Sequence, residues 1–563
     1  MSRRLTTTRP VCSGSPTADA AQPRRLAPLR AGPARSGAAA QSRSLGEGRR
    51  ARWLACAALA LAAAAPLALA PRSTSAAIPG RPPGGPAIPT SSPPSARAAA
   101  EAPYAPGKVV VGYAPSDTPT TGAAIAHAAG AVDPIELESH TRVLTLRAHA
   151  SVAGALARLR HTRGVAWAVP DYIAHAAVLP RSHAAASAAE LAGPAATAAD
   201  ASGAGATAAA TGEPFPNDPG LAKVPGGWSK LQWNFVGQFG VEAPGAWQNL
   251  IADHAPGGRG VVVAVLDTGV AYTNRGRFRM SPDFYRYQFV AGWDFVAHNR
   301  FPNDRNGHGT DVAGTIAEAT NNGKGLTGLA YGVRIMPVRV LDSEGNGDAA
   351  TIARGVRYAV RHGARVINLS LEFPGGITAS DIPELISALR YAHRHRVVVV
   401  AAAGNEAHSA AAFPARAPNV IAVGASTEHG CLASYSNFGT GVTLVAPGGG
   451  PDANLPGDPN CNPDLASGRD VFQVTFLGTS PRQFGIPGGY EGTSMATPHV
   501  AATAALIIAS GVLGRHPTPA QVEARLIATA RPLGGPSDSR LYGAGLLDAA
   551  AATAPGGPGA VTH

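Results

Sequence analysis

The run VVVAVLD (261–267) is apolar at six consecutive positions and then ends on one aspartate. A strand with one solvated face alternates apolar and polar residues. This one does not, so both of its faces are expected to be covered. Four more runs behave similarly: VRIMPVRVL (333–341), ARVINLSL (364–371), VVVVAAAGN (397–405) and NVIAVGAS (419–426). Segments with helical character, DAATIARGVRYAVRHG (348–363) and SDIPELISALRYAHRH (380–395), separate several of them. The expected fold class is therefore α/β, a parallel sheet covered by helices on both faces over 213–552. Ligands of such sheets gather beyond the carboxyl ends of the strands.

Upstream lies a different pattern. KVVVGY (108–113), RVLTLRA (142–148) and VAWAVPDYIAHA (165–176) read as strands, with TTGAAIAHAAG (120–130) and SVAGALARLRHT (151–162) as helices. This predicts a small α+β, ferredoxin-like domain over 104–178, one sheet backed by two helices. The segment 179–212 is nearly all Ala, Ser, Gly and Thr and reads as a protease-accessible tether. Residues 72–103 read as a Pro/Ala-rich linker and 553–563 as a C-terminal tail.

The chain has 563 residues and a formal net charge of +11. Eleven arginines against only Asp19 and Glu47 sit within residues 1–52, so nine of those charges belong to the leader. A nucleic-acid partner thereby loses its main support. The leader runs into WLACAALALAAAAPLALAP (53–71), with Ala-Leu-Ala at 68–70, the pattern of a secretory signal. Residues 1–71 are expected to direct export, leaving a secreted protein; retention of the apolar stretch as a membrane anchor is the minor alternative. Of Cys12, Cys56, Cys431 and Cys461, an exported and processed chain keeps two. One disulfide, Cys431–Cys461, is the expectation, ahead of a metal held by two cysteines.

The candidate chemistry stands where strands end and helices begin. Asp267 closes the first run, in AVLDTGV. An aspartic peptidase needs two such Asp-Thr-Gly turns, and this chain has one. His308 stands between glycines in NGHGTDVAGTIAEA (306–319), and Asn405 ends a strand in AAAGNE (401–406). Gly-Thr-Ser occurs twice, ending at Ser480 and at Ser494. Only the second leads into a long apolar helix, whose free N–H groups and dipole suit an oxyanion. Ser494 is the candidate nucleophile.

With VVVAVLDTGV, NGHGTDVAGT and GTSMATPHVA in this order, the chain resembles the subtilisin-like serine peptidases, the subtilase family (peptidase S8), over about residues 214–550. The resemblance implies Ser494 as nucleophile, His308 as general base and acid, Asp267 as its orienting partner, and Asn405 with the Ser494 N–H as oxyanion donors. It implies substrate contacts at Ser370, Leu371, Glu372, Ala402, Ala403 and Gly404. The 104–178 domain then looks like an inhibitory propeptide, an intramolecular partner beside protein or peptide substrates, in a chain that works as a monomer. Structural calcium is implied too, held by side chains of Asp218, Asp283 and Asn322 and by backbone at Ala319, Lys324 and Leu326. A second site is weaker: Asp294, Asn299 and Asn303 are present, but Ala297 stands where relatives often have a carboxylate.

Two departures from the family pattern matter. Asp311 replaces a second histidine and would put a carboxylate one helical turn from His308, which raises an imidazole pKa if ionised. Glu372 and Phe373, in SLEFPGG (370–376), alter the usual substrate strand and with it the S1 to S4 subsites. A catalytically dead binding module and an exported adhesive protein are the competing readings. Neither accounts for an intact Asp, His and Ser set.

Overall fold

The computed structural model describes residues 103–114, 119–179, 215–462, 464–465, 467–535 and 538–560. The leader, the linker up to residue 102 and the tether from residue 180 lie outside them. The N-terminal domain comprises β1 (Tyr104–Tyr113), α1 (Pro119–Ala128), β2 (Ala131–Glu138), β3 (Thr141–Leu146), α2 (Val152–Leu159) and β4 (Val165–Ala176). Its antiparallel sheet runs β4-β1-β3-β2. One element, β2, was not anticipated: AVDPIELE contains Pro134 and three acidic residues, a composition that an edge strand tolerates and a central one does not.

The two faces of this small sheet have different partners. Val109, Val111 and Leu144 pack with Ala155, Leu156 and Leu159 of α2. Val110, Val143 and Val169 turn the other way, onto Ala350 of the larger domain.

That larger domain carries α3 (Ala243–Ala252), β5 (Val262–Asp267), β6 (Trp293–Asp294), α4 (His308–Ala317), β7 (Arg334–Arg339), β8 (Asn346–Asp348) and α5 (Ala349–Arg361). Then follow β9 (Val366–Leu369), β10 (Leu371–Glu372), α6 (Pro383–Arg394), β11 (Val398–Ala402), β12 (Ile421–Ser426), β13 (Leu444–Pro447) and α7 (Thr493–Ser510). Seven strands form one sheet in the order β13-β12-β11-β9-β5-β7-β6, and every pair is parallel.

Strand alternation explains the continuous apolar runs. Val263 and Val265 enter the core shared with α7, whereas Ala264 and Leu266 enter the core shared with α5 and α6. Val398 and Val400 repeat the first direction, Val399 and Ala401 the second. Burying both faces is what makes the polar strand ends usable as a site. The Cys431–Cys461 disulfide is present and links residues 30 apart. Among the described residues, no helix is long and apolar enough to cross a membrane.

The two domains meet through β4. Asp171, fully buried, accepts the Ala350 N–H at 3.1 Å near the start of α5. Lys108 pairs with Asp348 at 2.9 Å, and Arg357 with Glu138. Past Tyr172, β4 leaves its own sheet and lies between two strands of the larger domain. Ile173, Ala174 and His175 pair with Asp348, Gly347 and Asn346 on one side, and His175 and Ala176 with Glu372 and Leu371 on the other.

Candidate active site

Asp267 and His308 meet where β5 ends and α4 begins, and Asn405 and Ser494 stand where β11 ends and α7 begins. His308 opens α4 after Gly307, whose φ of 113° lies in the left-handed region. Gly309 packs so tightly on the turn after β5 that an added Cβ would overlap the Gly269 carbonyl oxygen. That contact presses the start of α4 onto Asp267.

The Asp267 Oδ1 accepts from His308 Nδ1 at 2.7 Å and from the Thr268 N–H at 2.7 Å. Both side chains are essentially inaccessible to water. The bond makes Nδ1 the protonated nitrogen, leaving a lone pair on Nε2 when the ring is neutral. Asp304, which the sequence did not single out, binds Thr268 Oγ1 at 2.9 Å and both donors of Thr310. Thr268 Oγ1 in turn accepts from the Gly309 N–H at 3.0 Å. These bonds lock the turn that carries Asp267 to the helix that carries His308.

Ser494 is the second residue of α7. Its Oγ donates to the Ser370 carbonyl at 3.0 Å, while His308 Nε2 is buried and has no hydrogen-bond partner. The Ser494 N–H donates to the carbonyl oxygen of Ala177 at 2.9 Å. Ala177 follows β4 directly, and its own N–H reaches the Ser370 carbonyl at 3.3 Å; beyond it, the Leu179 N–H bonds the Glu491 carbonyl at 3.2 Å. The end of the small domain therefore crosses the site with the Ala177 carbonyl at the start of α7, and the chain bends there, the Val178 N–H bonding the Ala176 carbonyl at 2.9 Å.

Asn405 Oδ1 is fixed by the N–H and Oγ1 of Thr493, each at 2.9 Å, and its Nδ2 is buried without an acceptor. A Cβ placed on Gly492 would lie 2.5 Å from the Ala177 oxygen and 3.2 Å from Asn405 Nδ2, so both crowd the same glycine. An unspent buried donor is costly.

Of the predicted substrate contacts, Ser370, Leu371 and Glu372 line the threaded segment. Ala402 and Ala403 are buried, and Ala403 bonds the neighbouring strand at Val423 rather than the segment. Gly404, with φ of 110°, leaves room for the side chains of Glu372, Glu406 and Asn437.

Asp311 is fully buried and neither of its oxygens has a partner. Burial first, and then repulsion from Asp267, Asp470 and Asp304, pushes its pKa well above the ordinary carboxylate range. That direction favours the protonated form of Asp311 over the carboxylate.

Glu384 offers a pH test of buried acids. Burial, with a smaller push from Asp348, raises its pKa from 4.5 to about 8, and both oxygens lack partners. A raised folded-state value contributes stability that is fully present below pH 4.5 and is lost as pH climbs through about 8. In a Ser494→Ala background, Glu384→Gln is expected to remove a loss on the order of a few kcal/mol over that window. Denaturant midpoints across pH check this, and parallel curves with and without the substitution refute it.

Asp218 and Asp283, both buried, meet the loop of residues 319–326. Asp218 accepts the N–H groups of Asn321 and Asn322 at 2.8 and 2.9 Å, and Asp283 accepts Asn322 Nδ2 at 2.7 Å and the Leu326 N–H at 2.9 Å. Burial pushes the two carboxyls up to about 6 and about 7. Two buried acids gathered by one loop fit a hard cation. At the second position Asp294 is already paired with Arg339 at 3.2 Å, so a guanidinium supplies the positive charge there.

The model of the Subtilase family matches residues 258–545, and that of the fervidolysin N-terminal prodomain matches residues 90–171. Subtilisin BL of Lederbergia lenta is 37% identical over 315 residues, 56% of this chain and 96% of its own length. Thermitase of Thermoactinomyces vulgaris is 36% identical over 296 residues, 53% of this chain and 86% of its own. The thermophilic serine proteinase of Bacillus sp. (strain AK1) is 39% identical over 268 residues, 47% of this chain, and this chain spans 57% of its length. The solved structure of fervidolysin from Fervidobacterium pennivorans superposes with a TM-score of 0.57 at 24% identity, covering 80% of this chain and 61% of that one, a likeness of fold. The chain belongs to the subtilase family, as a serine endopeptidase carrying an N-terminal prodomain.

Proposed function

We propose that this chain is an exported endopeptidase whose first substrate is its own Ala177–Val178 bond. The observation that carries the reading is the Ser494 N–H bound to the Ala177 oxygen at 2.9 Å, with β4 in register on Glu372 and Leu371. Ser494 Oγ turns from the Ser370 carbonyl to His308 Nε2, gives up its proton there and bonds the Ala177 carbonyl carbon. The oxyanion takes its hydrogen bonds from the Ser494 N–H and Asn405 Nδ2. Collapse breaks the bond to Val178, whose amine receives the proton from His308. Water then releases the acyl group by the same proton path, and Asp267 holds the ring throughout.

After the cut, residues 104–177 remain in the cleft through the β8 and β10 pairings and so act as an inhibitor. The signal within 1–71 is removed on export, and the tether 179–212 is trimmed to leave a mature domain beginning near PFPNDP (214–219). Every group in this scheme comes from one chain, consistent with a monomer. Hydrolysis of casein that a serine-directed fluorophosphonate abolishes is the expected result. Casein binding without hydrolysis would favour the dead binding module.

Calcium in this reading is structural, held by Asp218, Asp283 and Asn322 with the backbone of Ala319, Lys324 and Leu326. A ligand of the native state stabilises by about 2.7 kcal/mol at a hundred times its Kd. The Ser494→Ala chain is expected to melt lower in a chelator than in excess calcium. Identical melting curves, or an unchanged calcium response in Asp283→Asn, would remove the site.

A further inference from the structure

We propose that His175, Glu372 and Glu406 form a divalent-cation site, of a kind suited to zinc, that fastens the prosegment to the cleft. The strand register sets His175 opposite Glu372, and one ligand atom from each of the three residues lies within 4.8 Å of the others. Among the described residues no other group of three or more His, Cys, Asp or Glu side chains meets that condition.

The surrounding hydrogen bonds prepare each ligand. His175 Nδ1 lies 3.2 Å from the Ala176 carbonyl, which can only accept. Nδ1 is therefore the N–H, and Nε2 keeps its lone pair for a metal. Glu372 is 1% exposed and takes the Asn405 N–H at 3.2 Å on both oxygens. Glu406 accepts Asn437 Nδ2 at 2.9 Å.

Two carboxylates this close need a proton or a cation between them. A divalent ion neutralises both, with the imidazole as third ligand and water in the open fourth position, a donor set that zinc accepts. Calcium and magnesium favour oxygen alone. One ligand belongs to the prosegment and two to the enzyme, so cation affinity and prosegment affinity strengthen each other by the same factor. Zinc thus retards release of the prosegment after cleavage.

The site rests on the seating of residues 173–177, not on the proposed cleavage, and the test keeps them separate. Zinc chloride is titrated into the full-length Ser494→Ala chain in calcium-saturated buffer near neutral pH, with calorimetry and melting temperature as readouts. Saturable binding with a rise in melting temperature is expected. His175→Ala, and separately the isosteric Glu372→Gln, should each weaken zinc binding by about ten-fold or more. No binding up to about 1 mM zinc, or equal binding in His175→Ala, overturns the site. In the unmutated enzyme, zinc should lengthen the lag before activity appears, and His175→Ala should abolish that lengthening.

Discussion

Ser494→Ala is expected to accumulate as an uncleaved precursor without peptidase activity, whereas Ser480→Ala matures normally. Ser480 lies in the turn between the short strands Thr475–Phe476 and Phe484–Gly485, with no helix behind it and, among the described residues, no part of the prosegment hydrogen-bonded to it. Ser494 has the α7 N-terminus behind it and a peptide carbonyl on its own N–H. Removing the nucleophile of subtilisin costs about 2 × 10⁶ in kcat, and a loss of that order is expected here. Sequencing the fragments of the wild-type chain should give a new N-terminus at Val178, followed by shorter ends within the tether. Maturation of Ser494→Ala without added peptidase would end the self-cleavage reading. A first cut elsewhere would leave the enzyme intact but detach it from the observed seating of Ala177.

Asn405→Ala should lower kcat by about 10² to 10³ with little change in KM, the loss known for the equivalent amide in subtilisin. Nδ2 has no acceptor in the described structure, so nothing is given up until charge develops on the Ala177 oxygen. An interaction made only in the transition state appears in kcat. The substitution also strips Thr493 of the acceptor for its N–H and Oγ1. Melting temperature reads that structural cost separately. A rise in KM that accounts for the lost activity would place Asn405 in ground-state binding instead.

Much of this was legible in the sequence because its causes are local. Apolar residues on both faces of 261–267, 397–405 and 419–426 could only be satisfied between two helical layers. The strand and helix bounds followed within a few residues, as for VAWAVPDYIAHA, which is β4 to the residue. Asp267, His308, Asn405 and Ser494 stood out because strand ends and helix starts carry recognisable neighbours. The strand AVDPIELE was not legible, since an edge position relaxes the pattern that betrays a strand.

The sequence by itself determined the layered α/β core and the small domain before it, and it singled out four candidate site residues, all from short segments whose periodicity and capping chemistry act locally. Tertiary structure alone decided which peptide bond lies in the cleft. Ala177 has no distinguishing neighbour in the chain, and its position is set by pairing with residues more than 160 positions away. It also decided the surroundings of the acids: Asp311 is buried with no partner for either oxygen, Asp294 meets Arg339, and Glu372 stands beside His175 because two strands share a register. Burial and long-range pairing set these energies, and neither can be read from a residue's own neighbours in sequence.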